Sequence, residues 1–205
     1  NFDASKLNTD GAYKDVNGVR IKRSSFKDGS AGVEEFVAAV IESFAVVAKQ
    51  KVEESGQNWD LLSTPVKRAI VSAGWNIGEG HFASTDMKAA YTEMSKEKPN
   101  QAALHKAFLS VVTFANGGAA TSLARRRAEE WNAIAGEVGG TKIERVTADN
   151  SGTNTVMQYY DSNDNLLFKK QTNRSSSKFE NTNVTQRLNS QGTWYEVPNP
   201  EPKKP

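Results

Sequence analysis

The sequence predicts an α+β chain: a mainly helical domain over residues 1–138, a small antiparallel β domain over 139–197, and a proline-rich tail over 198–205. Three observations predict this. From Val33 to Ile134, apolar side chains recur at helical spacing in one segment after another. Beyond Gly139-Gly140 the texture changes to short β-prone runs separated by turn residues. The end, Pro198-Asn199-Pro200-Glu201-Pro202-Lys203-Lys204-Pro205, has too few backbone donors and too fixed a φ to continue a sheet.

Residues 1–31 are polar and punctuated by glycine, with short apolar alternations at Val16, Val19 and Ile21, which reads as a small hairpin or irregular segment. Val33, Phe36, Val37, Val40, Ile41, Phe44 and Val47 then mark a first amphipathic helix, with Ser30 as the expected cap and Gly56 as its end. Pro65 suits the first turn of a second helix capped by Ser63 or Thr64, whose inner face is Val66, Ala69, Ile70, Ala73 and Ile77. A third helix is expected from Thr85 to about Ser95 behind Ser84. A fourth runs from Gln101 to Thr113 behind Asn100, burying Leu104, Ala107, Phe108 and Val111. The fifth begins after Thr121, carries Leu123, Trp131 and Ile134, and stops at Gly136. Expected strands are Lys142–Val146, Val156–Tyr160, Leu166–Gln171, Lys178–Phe179, Val184–Leu188 and Thr193–Val197, with Asp161-Ser162-Asn163-Asp164-Asn165 as a turn.

Composition narrows the function classes. With 26 basic and 24 acidic residues the formal net charge is +2, so no broad electrostatic attraction to nucleic acid or anionic membrane follows. The absence of cysteine removes disulfides and thiolate chemistry. No apolar run reaches the roughly 20 residues of a transmembrane helix, and no signal-peptide pattern is visible. His81 and His105 have no partner at ligand spacing, so no metal site is expected. No nucleophile elbow, phosphate-binding loop or dinucleotide fingerprint occurs, and no cofactor is expected. Successive residues of Arg125-Arg126-Arg127 would point about 100° apart on a helix. Ion pairs of Arg127 with Glu130, and of Arg126 with Glu129 and Glu130, explain them better than one anion-binding patch.

The order Trp75-Asn76-Ile77-Gly78-Glu79-Gly80-His81-Phe82, Ser84-Thr85, Gly117-Gly118 and Leu123-Ala124-Arg125-Arg126-Arg127-Ala128-Glu129-Glu130-Trp131 resembles the C-terminal lobe of the phage-type lysozymes. That resemblance implies a peptidoglycan-directed protein. It also implies structural roles for Trp75, Gly78, Gly80, Arg126 and Trp131, and a variable, non-catalytic position for Glu79. Muramidases of this family use a Glu general acid, an Asp nine positions on and a Thr six further. Tyr13-Lys14-Asp15-Val16-Asn17-Gly18-Val19 resembles the segment around that Asp, so Asp15 takes the catalytic Asp position, with Tyr13 and Asn76 as substrate-binding candidates. Nine residues before Asp15 stands Lys6, and six after it stands Ile21. A lysine is a poor general acid at neutral pH, and isoleucine cannot hydrogen-bond a water. Asp3 and Asp10 do not keep the spacing of the missing acid.

Three readings stay open on the sequence. One is a repurposed, catalytically impaired lysozyme-fold protein acting as a virion- or tail-associated component, with peptidoglycan or other phage virion proteins as partners. Another is an active muramidase, an endolysin or virion-associated lysozyme, that cleaves glycan strands with Asp15 and a second acid. Either would place the chain in the phage particle or at the host periplasm and cell wall. The third is a factor for nucleic acid or membranes resting on Lys169, Lys170, Arg174 and Lys178 with Phe168 and Phe179 between them; nucleic acid is the less expected partner.

Overall fold

The computed structural model describes residues 13–14, 20–21, 29–110, 120–151, 154–173 and 182–198. Among them the chain is α+β, with five α-helices and a five-stranded antiparallel sheet. It divides into two compact units, Asn1–Ser84 and Thr85–Pro205. The composition shift at 136–141 falls inside the second unit.

In the first unit, β1 (Tyr13–Lys14) pairs antiparallel with β2 (Arg20–Ile21), Tyr13 opposite Ile21. Helix α1 (Ser30–Glu54) forms because Phe36, Val40, Phe44, Ala48 and Val52 recur every four residues and bury one stripe. The expected cap Ser30 is instead the first helical residue. Gly29 precedes it at φ 90°, and its carbonyl accepts from Val33 N–H at 3.2 Å, so no side chain caps this end. At the other end Gly56 N–H closes onto the Glu53 carbonyl at 2.9 Å.

A 3₁₀ turn at Trp59–Leu61 leads to α2 (Thr64–Ile77), where Ser63 Oγ accepts from Val66 N–H at 3.3 Å and Pro65 occupies the first turn. Helix α2 buries Val66, Ala69, Ile70 and Ala73, and packs on α1. A second 3₁₀ turn, Glu79–Ala83, places the fully buried Phe82 ring 6.2 Å from that of Phe44.

The second unit opens with α3 (Thr85–Met94), which buries Met87, Ala90 and Tyr91 and packs on α4 (Gln101–Leu109). Asn100 caps α4, its Oδ1 accepting from Ala102 N–H at 3.0 Å and Ala103 N–H at 3.4 Å. Helix α4 ends at Leu109, and the expected continuation to Thr113 runs into 111–119, outside the described residues. After α5 (Ala120–Ile134) come β3 (Arg145–Ser151), β4 (Asn154–Tyr160), β5 (Leu166–Asn173), β6 (Thr182–Leu188) and β7 (Trp194–Val197).

The strands pair in the order β5-β4-β3-β6-β7, all antiparallel. One face buries Val146, Ala148, Met157 and Tyr159, the side on which α4 and α5 pack. The first expected strand was placed from Lys142, but β3 starts three residues later. The reason is local: Ile143 N–H donates to Asn132 Oδ1, and the Ile143 carbonyl accepts from Asn132 Nδ2, both at 2.7 Å, so helix α5 takes those backbone groups before the sheet can. The expected turn is present. Asp161 accepts from Asn163 N–H at 2.9 Å, Asn165 N–H at 2.8 Å and Asn165 Nδ2 at 2.9 Å. The Lys178–Phe179 run lies outside the described residues.

Candidate functional site

The segment expected to carry chemistry begins at the β1–β2 hairpin. Tyr13 and Ile21 face each other in its register. Lys6 and Asp15 lie outside the described residues, so the geometry of the expected Asp position is not part of the structure. Asn76 belongs to the last turn of α2. Several carboxylates described in this unit serve surface ion pairs: Lys49 Nζ lies 3.6 Å from Glu53 and 3.2 Å from Asp60, and Lys51 Nζ lies 2.7 Å from Glu54.

Trp75, half-buried on α2, sets its ring 5.4 Å from Phe44. Gly78 ends α2 at φ 107° and ψ 163°, a conformation essentially restricted to glycine. Its N–H donates to the Gly74 carbonyl at 2.6 Å, and its own carbonyl accepts from His81 N–H at 3.0 Å. Gly80 differs: it is exposed, and a Cβ there would meet nothing. Packing demands a glycine at Gly74, where a Cβ would drive into the Phe82 ring. Sequence reasoning passed over Gly74, although a glycine inside a helix is itself a sign of close approach.

In the second unit the three arginines diverge as helical geometry requires. Arg127 is buried at 1% exposure and pairs with Glu130 at 2.7 Å. Arg126, at 48% exposure, reaches the same Glu130 at 3.1 Å, and Arg125 lies 3.5 Å from Glu129. Burial lowers the Arg127 pKa, opposed by the Glu130 charge. Arg126 joins this brace from the solvent side, and Arg127 is its buried member. Trp131 is fully buried and donates Nε1–H to the Thr141 carbonyl at 2.8 Å.

His105 falls within the expected fourth helix, and its surroundings there are not polar. It is a core residue of α4, its ring edge-on to Trp131 at 4.6 Å. Burial lowers its pKa, partly offset by a hydrogen bond to the Leu167 backbone, and Nε2 is buried with no hydrogen-bond partner among the described residues. Sequence alone hid this because one histidine within the short apolar period of α4 carries no distinguishing signal.

The Phe168–Lys169 alternation resolves by strand period. Phe168 pairs with Tyr159, ring centroids 6.2 Å apart, on the helix-covered face, so Lys169 opposite Gln158 belongs to the other face. That outer face carries a cluster the sequence did not flag. Asp164, exposed in the β4–β5 turn, accepts from Arg145 Nε at 2.7 Å and from Arg187 at 2.7 Å, and the Arg145 guanidinium lies 3.5 Å over the Tyr160 ring. The two guanidinium groups hold the Asp164 carboxyl below its ordinary pKa, Arg187 foremost. Only the register β3–β4–β6 brings these residues together, and one sequence does not encode it legibly.

Among the described residues no group of three His, Asp or Glu side chains could hold a metal ion, and no helix is long and apolar enough to cross a membrane. No protein-family model, curated protein or solved structure matches the chain.

Proposed function

We propose that this chain is a lysozyme-fold protein directed at peptidoglycan, with an impaired hydrolytic centre, acting as a structural or binding component of a phage virion or tail. Its place of action would be the phage particle or the host periplasm and cell wall. The observation that carries the reading is the pair of substitutions around Asp15: Lys6 stands where the resemblance asks for the general acid, and Ile21 where it asks for the water-positioning Thr. Glycoside hydrolysis needs a proton on the leaving oxygen and a second group beside the anomeric carbon. A lysine ammonium gives up its proton too reluctantly near neutral pH, and an aliphatic side chain orders no water. Support also comes from the buried Trp131 ring, tied to the Thr141 carbonyl, in keeping with the structural role the resemblance assigns to that residue.

Asp15 itself favours a second reading, an active muramidase that uses another carboxylate as acid. Turbidity of chloroform-permeabilised Gram-negative envelopes, followed beside sedimentation of the protein with purified peptidoglycan, separates the two. The proposal expects co-sedimentation without clearing. Clearing that disappears in Asp15→Ala overturns it in favour of the enzyme. Neither clearing nor co-sedimentation overturns the peptidoglycan assignment altogether.

A further inference from the structure

The outer face of the five-stranded sheet presents one continuous cross-strand row. Register places Leu166 opposite Tyr160, Tyr160 opposite Arg145, Arg145 opposite Arg187, and Arg187 opposite Tyr195. Directly opposed residues of antiparallel strands project to the same side, so Tyr160, Arg145, Arg187 and Tyr195 share the face opposite α4 and α5, with Leu166 at the row's edge beyond a register shift between Tyr159 and Tyr160. Four strand spacings make the row about 19 Å long. Its two ends, Leu166 at 50% and Tyr195 at 46%, are the exposed large hydrophobic residues of this unit among those described.

Two guanidinium groups occupy the centre and share the single carboxylate of Asp164. Lys169 stands on the same face, opposite Gln158. Among the described residues the Asp149 carboxylate, opposite Val156, is the other acid on this side, so Arg145, Arg187 and Lys169 outnumber Asp149 and Asp164 by one charge.

We propose that this face binds single-stranded nucleic acid, weakly and without base-pair readout. Helices on one side of an antiparallel sheet and stacking side chains interleaved with cations on the other is how extended strands are held: bases lie against rings and guanidinium planes while phosphates meet the charges. The charged centre disfavours an apolar protein partner, which would leave the two arginines desolvated. The net positive charge and the open Tyr195 ring suit a polyanion that also offers flat rings. This proposal does not rest on the peptidoglycan reading.

The test is fluorescence anisotropy of the full chain with a labelled oligothymidylate and the matching oligouridylate at low salt, with far-UV circular dichroism on every variant. Expected is saturable binding at about 10–100 µM, weakening with salt at a log–log slope near about −1.4 for two neutralised phosphates. Tyr195→Ala should lose about tenfold and Tyr195→Phe should keep the binding, because the ring does the stacking. Arg187→Ala should lose about tenfold and flatten the salt slope by about 0.7.

Asp164→Asn separates binding from a merely structural role. It removes the competing carboxylate, so affinity should rise, whereas a surface cluster that only holds the turn would give no tightening. Absence of saturable binding overturns the proposal, as does wild-type affinity in both Tyr195→Ala and Arg187→Ala. Binding of soluble peptidoglycan glycan fragments to this face, lost in the same variants, with no oligonucleotide binding, also overturns it and leaves the wall-directed reading standing.

Discussion

At the scale of single residues, close approach decides more than polarity. Gly74 has no room for a methyl group beside Phe82, and Gly80 has room to spare, although only the second belongs to the recognisable motif. Gly74→Ala should therefore destabilise the protein by about 1–3 kcal/mol through overpacking. Gly80→Ala should be neutral or stabilise by up to about 1 kcal/mol, because it restricts the unfolded chain without a clash. Urea unfolding of the two variants checks both, and equal effects would refute the packing argument. Of Gly78 and Gly80, Gly78 is the one whose backbone, at φ 107°, justifies its identity on conformation alone. The arginine run follows the same logic: three adjacent residues of one type end in three environments, because each step around the helix turns the side chain toward a different neighbour.

At the scale of elements, most boundaries were readable and the contacts between elements were not. The periods at Phe36, Val40 and Phe44, the Ser63 and Asn100 caps and the Asp161–Asn165 turn are local patterns, and local patterns survive in one sequence. The start of β3 differs from the expected one because Asn132 acts from a helix eleven positions earlier. Nothing in the sequence around Ile143 announces that its backbone is already engaged. Asn132→Ala should leave the buried Ile143 N–H and C=O without partners and cost about 2–4 kcal/mol, with faster amide exchange at Ile143. Unchanged exchange there would remove the clamp from the account. The outer-face row is the extreme case: Tyr160, Arg145, Arg187 and Tyr195 come from four strands, and only pairing register assembles them. The expected catalytic positions were legible through resemblance alone, since Lys6, Asp15 and Ile21 have no periodicity that would single them out.

At the scale of the whole molecule, acid should act in two stages. The folded pKa of His105 is lowered, so the unfolded chain takes up a proton that the folded core resists. Stability from this group is complete above the ordinary value of 6.5 and drains as pH falls through the lowered folded value, at up to about 1.4 kcal/mol per pH unit. Glu93, Asp161 and Asp164 have lowered folded values through hydrogen bonds from Lys96, Asn165 and Arg187, so their contribution is present above the ordinary carboxylate range and is lost below it. Denaturation midpoints at pH 8, 6 and 5 should show the first decline in the wild type and not in His105→Phe. A decline of equal size in both would place the acid sensitivity elsewhere. All four groups lie in the second compact unit.

The order β5-β4-β3-β6-β7 has a consequence for how the chain is made. The first strand of the sheet to leave the ribosome is its middle one. A nascent chain that has reached Tyr160 can close the β3–β4 hairpin, and every later strand then adds at a rim: β5 on one side, β6 and finally β7 on the other. Growth outward from a central nucleus needs no strand to insert between two already paired. The last rim to form carries Tyr195, so the aromatic end of the outer row exists only once synthesis has passed Val197.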